Sequence, residues 1–248
     1  MRAATPMRAL TAQARTELLL SLRQGEQLLV AIGIPLLVLV FFSLVDVLPT
    51  DTTDAVDYLT PAVLALAIMS TAMVSLGIAT GFERYYGVLK RLALTPLGRP
   101  RLLAAKLAAV LVIEVVQLVV LSIAGRLLGW GPGFQAVGLV AAVLLGTAAF
   151  AGLGFTLAGV LSGPANLAAT NGLYVLLLLL GGIAVPASQL PGALRVGARV
   201  LPSGALVEVM GDVAGRLPAA SARAWLVLLV WAVVMPLVAA KTFRWSPD

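Results

Sequence analysis

The sequence contains no cysteine and no histidine, and only 11% of its 248 residues are charged. Without cysteine there is no disulfide and no thiol nucleophile, and the commonest zinc ligands are missing altogether. Soluble domains carry about 25% charged residues, so the chain lacks the polar surface that water requires. It also lacks a Gly-x-x-x-x-Gly-Lys-Ser/Thr phosphate loop, and no Gly-Lys dipeptide occurs anywhere in it. Nucleotide phosphates cannot be cradled by that route here. Asp51 and Asp54 do not fit an Asp-x-Asp-x-Asp-Gly calcium frame and read as part of a solvated turn.

What is present is apolar: 60% of residues are hydrophobic. About 20 apolar residues cross a bilayer as a helix. The apolar runs are too long and too uniform for barrel strands, which alternate over roughly 10 residues. The expected fold is therefore all-α and integral to a membrane, with six transmembrane helices. They fall near residues 28–48, 59–80, 107–125, 136–161, 166–185 and 224–240. Pro35 is a candidate kink in the first. Residues 1–27 read as an N-terminal interfacial helix, with Leu10, Ala14 and Leu18 on one stripe and Arg8, Arg15 and Arg23 on another. A cleaved leader is disfavoured, since the apolar run begins late.

Orientation follows Lys and Arg in the loops rather than net charge. With the N-terminus inside, twelve of the seventeen basic residues fall on the cytoplasmic side and five outside. Both termini are expected in the cytoplasm. The net charge of +6 is accounted for by this distribution, and no nucleic-acid partner is expected. Arginine outnumbers lysine 14 to 3, the coding bias of a GC-rich genome, which points to a bacterial plasma membrane.

Two connecting segments are long. The external one, 186–222, holds Pro186, Pro191, Pro202 and Pro218, and is expected to form short amphipathic helices on or in the outer leaflet between the fifth and sixth spans. The cytoplasmic one, 81–106, is expected to hold a helix from about Glu83 to Leu94, stopped by Pro96. Held between two spans, such a helix is a suitable lever for a partner protein. Its basic residues alone would also suit anionic lipid.

This second segment carries a resemblance. Glu83-Arg84, Gly87, Leu89, Leu92, Thr95-Pro96, Arg99 and Lys106 resemble the cytoplasmic motif of ABC-2 type transporter permeases. Leu190-Pro191 and Leu201-Pro202 are similar to the external part of that family. Tyr85-Tyr86 depart from it, standing where the family often has a further acidic residue. The resemblance implies a single permease domain over 1–248, paired with a second permease copy or a related permease. Two ABC ATPase subunits would bind ATP and Mg, and this chain would bind no cofactor and catalyse nothing. The motif residues would couple to the ATPase, and the exported substrate would be a drug, antibiotic, lipid or glycolipid.

Glu114 and Gln117 are the most unusual residues inside a span. Three apart, they share one helical face. Intramembrane carboxylates face a bundle interior or a wet cavity, so the pair is a candidate substrate path or gate, and equally a hydrogen-bonded structural pair. Gly77 and Gly81, and Ala148, Gly152, Gly154 and Ala158, give small-x-x-x-small spacings that let helices approach. Two other function classes compete with the exporter. An intramembrane lipid-modifying enzyme would need clustered carboxylates, His or Arg near one interface. An ATP-independent carrier would be supported by an inverted repeat, and none is evident.

Overall fold

A computed structural model describes residues 6–23, 25–45, 55–93, 98–131, 133, 135–183, 191–215 and 220–245. Every regular element among them is helical. The helices are α1 (Pro6–Arg23), α2 (Gly25–Leu44), α3 (Ala55–Met69), α4 (Leu76–Tyr85), α5 (Val88–Ala93), α6 (Arg99–Leu127), α7 (Ala136–Val160), α8 (Gly163–Leu180), α9 (Gly192–Ala198), α10 (Pro202–Val213) and α11 (Ala222–Thr242). A π-helical stretch, Ser70–Ser75, joins α3 to α4 without a break.

Five helical rods are long and apolar enough to cross a membrane: the α3–α4 rod (Ala55–Tyr85), α6, α7, α8 and α11. In α2 the apolar stretch is shorter, Ala31–Leu44. Large apolar side chains on α6, α8 and α11 face outward, among them Val115, Val119, Leu176, Leu179, Val230 and Leu237. In water such faces would be a liability, whereas lipid requires them. The α3–α4 rod is the hub. Nearly every residue from Leu59 to Met73 is buried, ringed by α2, α6, α7, α8 and α10. At 31 residues it is about 46 Å long, which exceeds a hydrocarbon core of about 30 Å. It is longer than a perpendicular crossing needs, and its end at Tyr85 is called the base below.

Lipid gives no hydrophobic drive between helices, so close packing must hold the bundle together. The small residues supply it within the chain. A Cβ on Gly77 would stand 2.9 Å from Gly154 Cα, and one on Gly152 would stand 2.6 Å from Pro236 N of α11. The small-residue spacings thus seat α4 on α7 and α7 on α11. Gly81 is closed by Asn166 of α8, whose side-chain amide donates to the Gly77 carbonyl at 3.0 Å.

The segment expected to be external holds two short helices, and the second is more deeply buried than a helix on a leaflet would be. Of the twelve residues of α10, nine are buried, with Leu206, Val209 and Met210 wholly enclosed against α3, α7, α8 and α11. A helix of about 18 Å cannot cross the bilayer. It enters the bundle and hands over to α11 through Glu208, which accepts from the backbone N–H and hydroxyl of Ser221 at 2.9 and 2.6 Å. Ser221 in turn caps α11. The alternation of Arg195 and Arg199 with Leu194 and Ala198 describes α9 and carries no information about the element after it. Trp130, whose type suggests an interface anchor, is buried against Gly125 instead.

Candidate functional site

Helix α4 ends at the base with Glu83 and Arg84, adjacent in sequence and therefore turned to different sides of the helix. Arg84 is buried, and its guanidinium donates to the carbonyls of Gly159 at 2.6 Å and Leu161 at 2.9 Å. Helix α7 stops at Val160, so these are carbonyls left over at a helix C-terminus. A cation there also meets the negative end of the helix dipole. The backbone N–H of Arg244, just past α11, donates to the same Gly159 oxygen. Arg84 thus ties together the ends of α4, α7 and α11.

Glu83 turns toward α6. Its carboxylate lies 2.7 Å from the Lys106 ammonium, which also donates to Glu17 of α1 at 2.8 Å. Lys106 is almost fully enclosed, whereas the Glu17 and Glu83 side chains are 12% and 26% exposed. One ammonium held by two carboxylates joins α1, α4 and α6.

Glu83 also lines two adjoining cavities. The smaller, about 170 Å³, reaches from Glu17 and Lys106 up to Thr71 and Ile113. The larger, about 860 Å³, is a half-open groove between α2, the π stretch and α4, and α8. Its walls carry Ile34, Val74, Ile78 and Phe82, with Tyr86 and Tyr174 as polar-tipped aromatics. Ala31, Ser75, Ala79 and Glu83 belong to both cavities.

Glu114 and Gln117 line neither cavity. Both are fully buried. Gln117 accepts from the Thr71 hydroxyl at 2.8 Å and donates to the Ala31 carbonyl at 2.9 Å. That carbonyl is available because Pro35, four residues on, has no N–H to bond it. Glu114 accepts from the Thr147 hydroxyl of α7 at 2.6 Å. The shared face inferred from their spacing is real, but the two residues reach different helices.

The cytoplasmic helix expected from Glu83 to Leu94 is divided. Tyr86 and Gly87 form a turn, and Gly87 takes φ +71° with nothing within 4 Å of an added Cβ, so backbone conformation alone asks for glycine there. Only Val88–Ala93 forms the separate helix α5. Leu89 anchors it, fully buried, while Lys90 and Arg91 are exposed and Leu92 is half-buried. Thr95 and Pro96 lie outside the described residues. Arg99 opens α6, after Gly98 at φ +72°.

Sequence reasoning missed Glu17, the π stretch and Tyr174. Glu17 sits on the polar side of an amphipathic helix, where a carboxylate looks solvated. No residue pattern in Ser70–Ser75 announces a π turn.

The family model described as ABC-2 type transporter matches residues 8–214, from α1 through the end of α10. No curated protein matches the chain.

Proposed function

The chain belongs to the ABC-2 type transporter family, and from that premise we propose that it is the permease half of an ATP-driven exporter. As a family member with five rods long and apolar enough to cross a membrane, it is a multi-pass membrane subunit of a transporter. The proposal adds that two ABC ATPase subunits, carrying ATP and Mg, drive it, and that a second permease copy or a related one completes the pathway. It adds α2 as the sixth span, with both termini on the cytoplasmic face of a bacterial plasma membrane. The basic residues clustered at the base support that orientation.

The observation that carries the reading is α5. It is a short helix set off from α4 by Gly87, pinned inward by Leu89, and presenting Lys90 and Arg91 outward. A partner grasping that outer face would press on α4 through Leu89 and on α6 through the following connection. The coupling roles of Glu83, Arg84 and Lys106 are then those of transmission: they join α4 to α7, α6 and α1, so that displacement at α5 moves the base as a unit. Gly87 supplies the joint, Leu92 a second inward contact, and Thr95, Pro96 and Arg99 the lead into α6. The substrate path is the groove between α2, α4 and α8, whose apolar walls suit a hydrophobic or amphiphilic molecule.

Co-expression with ABC ATPases of the same genome tests this. A stable complex should form, and its ATP hydrolysis should depend on the permease. Reversing Lys90 and Arg91 to Glu should weaken the complex several-fold without changing membrane insertion. The reading fails if no ATPase co-purifies, or if the reversed variant binds and hydrolyses unchanged.

A further inference from the structure

The wall that the groove shares with the smaller cavity, at Glu83, is chemically lopsided. Glu17 and Glu83 bring two carboxylates and Lys106 one ammonium, which leaves one negative charge in excess. Among the described residues, no other basic side chain lines either cavity. Arg84, the nearest in sequence, is turned away and held at the end of α7. Around Glu83 the groove wall is apolar and aromatic, with Phe82 and Tyr86 stacked at 6.1 Å and Tyr174 also in the lining. The faces of such rings attract cations. The chain already stations an ammonium against Glu83, so the geometry around that carboxylate accepts positive charge. A charge on a low-dielectric wall is felt more strongly than one in bulk water.

We propose that the groove selects an amphiphilic organic cation, its charge seated at Glu83 and its apolar body against Ile34, Val74 and Ile78. This rests on the groove being the substrate path. Lys106 then acts as a tethered competitor for the same carboxylate. Its removal should strengthen cation binding, and removal of Glu83 should weaken it. A purely structural role for the triad would move both variants in the same direction.

Binding to the full-length chain alone, in phosphatidylcholine nanodiscs and corrected for empty discs, tests the proposal with two ions of matched shape and opposite charge. Tetraphenylphosphonium should bind at least about tenfold more tightly than tetraphenylborate, a difference of about 1.4 kcal/mol. Glu83→Gln should erase the preference, and Lys106→Met should raise phosphonium affinity severalfold. Ile78→Trp, which fills the groove without touching the charges, should reduce binding of both ions. Gel filtration and circular dichroism check that each variant is folded, and Ile78→Trp alone suffices to place the site if a charge variant is not. Equal binding of the two ions, a preference that survives Glu83→Gln, or no binding with the groove occupied by a second copy would each overturn the inference. Because no ATPase is present, such a failure leaves the exporter reading intact. Conversely, loss of ATPase pairing would leave cation binding unexplained but measurable.

Discussion

Helix α6 carries two polar clusters, separated by about 12–16 Å along its axis. Toward the base, Lys106 joins two carboxylates beside open space. Deeper, Glu114 and Gln117 bond to hydroxyls and a backbone carbonyl on three other elements, and line neither cavity. The difference teaches where each kind of polar contact can be placed. An amide, bonded through both ends, can be sealed inside because no charge has to be dehydrated. Ionic groups retain part of their hydration by standing at a cavity wall, where the desolvation penalty is smaller. The deep cluster is therefore suited to holding helices in register, and the shallow one to responding to what enters.

The largest effect expected from this contrast comes from Gln117→Leu. It strands the Thr71 hydroxyl and the Ala31 carbonyl together. Each lost partner is worth roughly 1–3 kcal/mol in proteins and nearer the low end within membranes. Thermal unfolding in detergent should show a loss of about 1–3 kcal/mol. Adding Pro35→Ala restores a helical N–H to Ala31 and should recover part of the loss. If the second change instead destabilises by the same amount in both backgrounds, the proline and the glutamine are not a matched pair.

These two clusters also show what could be seen in the sequence. Five of the six expected spans were legible because their length and lack of charge follow from the bilayer itself, and the family from the residues between Glu83 and Lys106. The partners of those residues were not legible. Lys106 meets Glu17 and Glu83 across 89 and 23 residues of sequence, and no spacing rule reports such a meeting. The turn at Gly87 had a signal, a glycine inside a helical pattern, which a continuous helix from Glu83 ignored. The depth of α10 had none, because small and apolar residues suit a leaflet and a protein interior equally. Pro35 was legible as a proline inside a helix, but not as the source of a free carbonyl that Gln117 would fill.

A smaller effect is expected at the shallow cluster. Glu17→Gln weakens the tie between α1 and the base while Lys106 keeps Glu83. With Glu17 partly exposed, the loss should be about 1 kcal/mol or less. The informative readout is local: limited trypsin digestion should cut faster at Arg15 and Arg23 of α1, with the thermal midpoint little changed. High salt should produce part of the same acceleration in the native chain, since charges near water are screened. A large drop in the midpoint, with α1 still protected, would mean that the two clusters are not separable.

The smallest effect should come from Glu114→Gln. The substituted side chain keeps a carbonyl oxygen for the Thr147 hydroxyl, the one contact seen at that carboxyl group, and it matches the original in volume. Stability should change by less than about 1 kcal/mol. Because Glu114 lines neither cavity, substrate-stimulated ATP hydrolysis in the assembled transporter should also stay near the native level. The same assay on Glu83→Gln should show a marked fall. If Glu114→Gln instead abolishes stimulation while the protein stays folded, the deep cluster takes part in the transport cycle. The division between a sealed frame and a responsive base would then have to give way to a single pathway running the length of α6.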